Sequence, residues 1–141
     1  MKKILAFCFI VSVIVVLSGC GPTPKEDVFS IVENNYDAIR KACEEKEADA
    51  LLKIEGVTKV NIVDGYVIVY CKGAGIAPSS QDYGFYFSAE NSPIGVGCNL
   101  GIVCKAEELT PEGNGLQCVV GGNIFYTEHI QGNFYFYSNA Y

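Results

Sequence analysis

Val57-Thr58-Lys59-Val60-Asn61-Ile62-Val63-Asp64-Gly65-Tyr66-Val67-Ile68-Val69-Tyr70-Cys71 decides the fold. Its two halves are rich in β-branched and aromatic residues, which suit a pleated, half-buried surface. Between them lies Asp64-Gly65, a two-residue turn that tolerates positive φ and closes a tight antiparallel hairpin. The chain is therefore read outward from a hairpin of Val57–Val63 and Tyr66–Cys71.

Towards the C-terminus, a loop containing Gly73, Gly75, Pro78, Ser79 and Ser80 leads to a third strand, Tyr83–Ser88, turned by Glu90-Asn91-Ser92-Pro93. Residues 94–114 are rich in glycine and read as mostly loop with one short strand. Leu116–Val120, Ile124–Ile130 and Phe134–Tyr137 then form a meander with turns at Gly121-Gly122-Asn123 and Gln131-Gly132-Asn133. Towards the N-terminus the period changes. Val28, Phe29, Val32, Tyr36, Ile39 and Cys43 recur by threes and fours from Glu26 to about Leu52, the stripe of an amphipathic helix. Glu26 and Asp27 place negative charge at its positive end, and a break near Glu47 would leave Ala48–Ile54 as a short second helix. The expected architecture is α+β: an N-terminal amphipathic helix packed on a curved antiparallel sheet of about five to six strands. Without βαβ alternation, a doubly wound nucleotide-binding fold is not expected.

Side chains alternate along a strand, so aromatic residues sort by face. Phe85 and Phe87 oppose Tyr86, Phe134 and Phe136 oppose Tyr135 and Tyr137, and Phe125 beside Tyr126 repeats the pattern. Phenylalanine suits a dry core under the helix, whereas a tyrosine hydroxyl needs water or a partner. Tyr86, Tyr126, Tyr135 and Tyr137 are accordingly expected on a partly wet face able to bind a protein, peptide or glycan. Truncating them is expected to leave the fold intact.

The first residues read as an export signal: Lys2 and Lys3, an apolar run of about 14 residues from Ile4 to Leu17, then Ser18-Gly19. The run is short of the roughly 20 residues a spanning helix needs. Leu17-Ser18-Gly19-Cys20 resembles the lipobox of bacterial lipoproteins. The resemblance implies cleavage before Cys20, diacylglycerol on its thiol and a chain held at a membrane surface facing outside the cytoplasm. The division is then 1–19 signal peptide, 20–25 lipidated cysteine and tether, and 26–141 a single domain. Gly21-Pro22-Thr23-Pro24-Lys25 reads as an extended tether. Loss of Lys2 and Lys3 makes the mature chain two units more negative than the −6 of the full sequence. An acidic body argues against nucleic acid and against a polybasic grip on anionic lipid, leaving the acyl chains as the membrane contact.

Beyond Cys20 the mature chain holds Cys43, Cys71, Cys98, Cys104 and Cys118. Export permits disulfides, but an odd count leaves a thiol over. The pairing stays open: Cys43, on the helical stripe, suits a buried free thiol, and Cys98 with Cys104 brackets a short loop that a bond would close. The intervening spacing does not suit zinc and no partner histidine pair follows, so no metal or other cofactor is expected. His129 is the only histidine, and Glu128 beside it on a strand faces the other way. A small hydrolase or thiol enzyme using His129, which could pair with Cys118 or Cys71 across strands, is the catalytic alternative. Phe125-Tyr126-Thr127-Glu128-His129 with Asn133-Phe134-Tyr135-Phe136-Tyr137 resembles the closing hairpin of small exported proteins of Gram-positive bacteria that carry no assigned activity. The favoured reading is a non-catalytic binding or interaction module, with an envelope structural protein or enzyme inhibitor as a third class.

Overall fold

The computed structural model describes residues 23–74, 81–97, 99 and 101–140. The expected signal segment, Cys20, Cys98 and residues 75–80 of the expected loop lie outside them. Among the described residues, three short helices, α1 Pro24–Asn34, α2 Tyr36–Glu44 and α3 Ala48–Leu51, precede the strands. The strands are β1 Lys59–Val63, β2 Tyr66–Ala74, β3 Gln81–Ser88, β4 Gly95–Val96, β5 Ile102–Cys104, β6 Thr110–Glu112, β7 Gly115–Val120, β8 Asn123–Gln131 and β9 Phe134–Ala140, with a 3₁₀ turn at Ala106–Glu108.

The single helix expected from Glu26 to about Leu52 does not form. The chain leaves helical geometry at Asn35 (φ −121°), whose side-chain amide donates to the Ile31 carbonyl at 2.9 Å. It breaks again at Lys46, whose φ is +57°, next to the break considered near Glu47, and the short helix read from Ala48 runs to Leu51. The start also differs from expectation. Pro24, read from sequence as tether, is the first residue of α1, a position where a missing N–H costs nothing. Thr23 caps it: its hydroxyl accepts from the Glu26 amide at 3.3 Å, and the Glu26 carboxylate accepts from the Thr23 amide at 2.7 Å. These bonds hold the Glu26 carboxyl below its usual range.

The sheet is larger than expected. Seven strands pair in the order β1-β2-β3-β9-β8-β7-β6, and β4 with β5 makes a separate two-stranded ribbon. The Asp64-Gly65 hairpin pairs Val63 with Tyr66 and Lys59 with Tyr70. The added seventh strand, β6, lies within the expected 94–114 loop and pairs with β7 from Thr110–Gln117 to Glu112–Gly115.

Two cores lie on opposite faces of the sheet. On the helix face, Val28, Val32, Ile39 and Leu51 meet Val67, Val69, Phe85, Phe134 and Phe136, all buried. Phe29 packs on Phe136, and Tyr36 on Phe134 edge-on, with centroids 6.2 and 5.6 Å apart. On the back face Ile68, Tyr86, Tyr135 and Tyr137 are covered by Ile94 and Val96. The covering ribbon is stapled down by a Cys104–Cys118 disulfide joining β5 to β7, not by the Cys98–Cys104 closure considered from sequence. Gly95 lies so close to this bond that an added Cβ would stand 3.0 Å from both Cys104 Cβ and Cys118 Sγ. The helices thus cover one side of the sheet and the stapled ribbon the other.

Candidate functional site

The tyrosine row expected to be wet is mostly dry. Tyr86 and Tyr137 are 0% exposed and Tyr135 is 7% exposed. The face sorting itself is as expected on two strands, because Phe85 stands opposite Phe136 and Tyr86 opposite Tyr135. The error lay in what covers the far side. Ile94-Gly95-Val96-Gly97, read as loop, lays two branched side chains over the tyrosine rings, and backbone groups serve the hydroxyls. The Ile94 amide donates to the Tyr86 hydroxyl at 2.9 Å. The Tyr86 hydroxyl meets Thr127 Oγ1 at 2.7 Å. Tyr135 donates to the Asn91 carbonyl at 3.0 Å and to its side-chain oxygen at 2.9 Å. Tyr86 and Tyr135 also stack, with centroids 5.2 Å apart. Burial raises the Tyr86 hydroxyl well above its ordinary range.

Tyr126 does not belong to that row. It stands opposite Ser138, in step with Glu128 and Phe136 on the helix face, while Phe125 packs on the back against the disulfide. The Tyr126 hydroxyl donates to the Glu128 carboxylate, which also receives Lys25 Nζ at 2.7 Å. Burial, then the Glu128 carboxylate, raises the Tyr126 hydroxyl. The Lys25 ammonium also lies 5.4 Å from the Phe29 ring centroid. Lys25, expected within a free tether, is therefore bonded to the sheet.

His129 gives little support to nucleophilic chemistry. Its Nε2 lies 2.7 Å from the Gly132 carbonyl and its ring sits edge-on to Tyr135. Cys118 is held in the disulfide, and Cys71 is buried on the opposite face. Burial pushes the thiols of Cys43 and Cys71 up to about 12, the wrong direction for a nucleophile. Among the described residues, no group of three His, Cys, Asp or Glu side chains is placed to hold a metal ion.

A concave surface lies elsewhere, between α1, the connection into β1, and strands β2 and β3. This cleft, of about 460 Å³, is lined by Asp27, Ser30, Asn34 and Asn35 from the helix, Glu55 and Thr58 from the connection to β1, and Tyr83 from β3. Val28, Ile31 and Cys71 complete its apolar floor. Asp27, Ser30 and Asn34 follow from helical spacing, one polar row beside the apolar stripe. Gly56 shapes the rim. It holds φ +90°, and an added Cβ would come within 2.8 Å of Ile31 Cδ1. Burial, then the Asp27 charge and then Cys71, raises the Tyr83 hydroxyl, which keeps it a neutral donor at physiological pH. The cleft thus offers two carboxylates, amides and hydroxyls and no cationic side chain.

Sequence reading missed this site because it searched for nucleophile, metal and phosphate patterns. The legible signal was the row Asp27, Ser30, Asn34, a helix flank of short polar residues where long charged ones would be ordinary. Glu55 and Thr58 could not be joined to it without the fold. Among the described residues no helix is long and apolar enough to cross a membrane. Comparison with protein-family models, curated proteins and solved structures finds no match.

Proposed function

We propose that the chain is a lipid-anchored extracytoplasmic binding module without catalysis, and that its cleft takes a small ligand bearing hydroxyl or amine groups, such as a glycan unit. The cleft carries this reading: seven polar side chains converge around an apolar floor, the usual make-up of a small-molecule site. Carboxylates and amides accept from hydroxyls or ammonium groups, and the amides and neutral Tyr83 donate in return. With no lysine or arginine on the lining, a phosphate or carboxylate ligand would be repelled. Anchoring rests on the Lys2-Lys3, apolar-run and Leu17-Ser18-Gly19-Cys20 pattern.

The test is titration of the mature chain with panels of neutral oligosaccharides, amino sugars, polyamines and anionic sugars, followed by amide NMR shifts. Shifts centred on residues 27–35, 55–58 and 83, produced by neutral or cationic ligands and abolished by Asp27→Ala with Glu55→Ala, are expected. Binding only of anions, or shifts lying elsewhere, overturns the cleft reading. Fatty-acid labelling that survives Cys20→Ser overturns the anchor.

A further inference from the structure

Among the described residues seven large hydrophobic side chains are exposed, and five of them gather at one end of the molecule. Val119, the most exposed at 61%, stands opposite Ile124 on the β7–β8 hairpin, and Val120 precedes its Gly121-Gly122 turn. Ile102 and Val103 of the ribbon reach the same place, gathered with Asn123 and Phe125 around a shallow depression of about 220 Å³.

The two stretches of chain that carry these side chains hold no formal charge. In a chain of net charge −6, no charged residue lies between Glu90 and Lys105 or between Glu112 and Glu128. The first interval runs through β4 and β5, and the second through β7 and most of β8. Such a surface can approach anionic headgroups that repel the rest of the body.

The chain leaves the fold close by. Lys25, in the first turn of α1, is bonded to Glu128 of β8, which also receives Tyr126. Tyr126 and Ile124 are two residues apart on β8 and share the helix face, where Val119 stands opposite Ile124. Only Gly21, Pro22 and Thr23 separate Cys20 from the first residue of α1. At most about 3.6 Å per residue, that segment spans no more than roughly 15 Å.

We infer that the β7–β8 hairpin end, with Val119, Val120 and Ile124 foremost, is a membrane-contact surface that seats in the lipid headgroup layer beside the acylated Cys20. The inference rests on the lipid-anchor reading. A short tether gripped at Lys25 holds this end against the bilayer, and branched apolar side chains with a tight two-glycine turn at the tip suit shallow insertion. Docking there would fix the body's orientation.

The chain contains no tryptophan, so one can be placed as a reporter. The full-length lipidated protein carrying Val119→Trp, and separately Leu52→Trp at an exposed site next to the opposite sheet edge, is reconstituted into phosphatidylcholine–phosphatidylglycerol vesicles containing dibrominated acyl chains. Seated at an interfacial depth of about 5–10 Å, the first indole should lose roughly half its emission and shift to the blue, while the second stays unchanged. Equal quenching at both sites, or none at Val119→Trp in protein that is acylated by mass and floats with vesicles, overturns the docking and leaves the anchor standing. Protein that carries no acyl mass and does not float defeats the anchor and the docking together. A blue shift that depends on protein concentration without vesicles assigns the patch to a second copy of the chain and also overturns the inference.

Discussion

Removing one oxygen atom tests whether the back of the sheet is a dry core. Thr127 donates its hydroxyl proton to the Phe136 carbonyl at 3.0 Å, so at the 2.7 Å contact it must accept from Tyr86. The Tyr86 hydroxyl in turn accepts from the Ile94 amide at 2.9 Å. Tyr86→Phe keeps the ring and its stacking but orphans the Ile94 N–H, at a residue only 2% exposed, and removes the donor to Thr127. A buried unsatisfied donor costs about 1–3 kcal/mol, and a net hydrogen bond about 1 kcal/mol. A loss of about 2–4 kcal/mol is expected, or roughly 3–6 °C in Tm for each kcal/mol in a domain of this size. Urea denaturation with the disulfide intact should show a lower midpoint at unchanged slope. Thr127→Val should be non-additive with Tyr86→Phe by more than about 0.5 kcal/mol, because the two hydroxyls share one network. A Tyr86→Phe effect within about 0.5 kcal/mol, the range usual for surface positions, would refute the argument and restore the wet face expected from sequence.

Reduction-proof removal of the staple, Cys104→Ser with Cys118→Ser, should cost about 3 kcal/mol for a loop of this length and raise amide exchange in Ile94–Val96. Gly56→Ala should cost about 1–3 kcal/mol, since φ +90° strains an alanine and its Cβ meets Ile31; calorimetry would check it. Cys43 and Cys71 should resist thiol reagents at pH 8 until the domain unfolds, as peptide mapping after labelling would record. Their folded values are raised from 9.0 to about 12, so this contribution to stability is whole below about pH 9 and is lost as pH climbs towards 12. The expected slope is about 1.4 kcal/mol per pH unit for each thiol. Denaturation curves at pH 8 and pH 11 should differ accordingly, and Cys43→Ala with Cys71→Ala should flatten the difference.

Local chemistry was legible where one interaction governed the outcome. Asp64-Gly65 set the hairpin, and the registers Val63–Tyr66 and Phe85–Phe136 follow from turn geometry and alternation. The helical stripe was legible in Val28, Val32, Ile39 and Cys43, as was a break near Glu47, but the break at Asn35 was not. Asn35 ends α1 through a bond from its own side chain to Ile31, a competition between local hydrogen bonding and helix that apolar spacing does not register. Pro24 misled for the opposite reason. A proline is a breaker everywhere except the first turn, and only the Thr23–Glu26 box four letters long marks it as a start.

The larger error concerned the tyrosines, and its cause is general. Alternation assigns side chains to two faces but leaves open whether a face is covered, because the cover comes from a segment far along the chain. Tyrosine leaves the choice open, since its hydroxyl is satisfied by water or by a backbone group. Here the decisive facts lay in what 94–114 lacks. Between Glu90 and Lys105 there is no charge, and isoleucine and valine alternate with glycine at 94–97, a composition that can lie flat on an apolar sheet without burying an ion. A disulfide then supplies the attachment that so short a ribbon cannot supply by area alone. Covering the back face takes Tyr86 and Tyr137 out of a ligand's reach. The cleft at α1 is concave and apart from that row, where the helix crosses the sheet and its polar flank overhangs Tyr83 and Cys71. The same cover leaves the β7–β8 hairpin, with Ile102 and Val103 of the ribbon, holding five of the seven large hydrophobic side chains that stay exposed among the described residues.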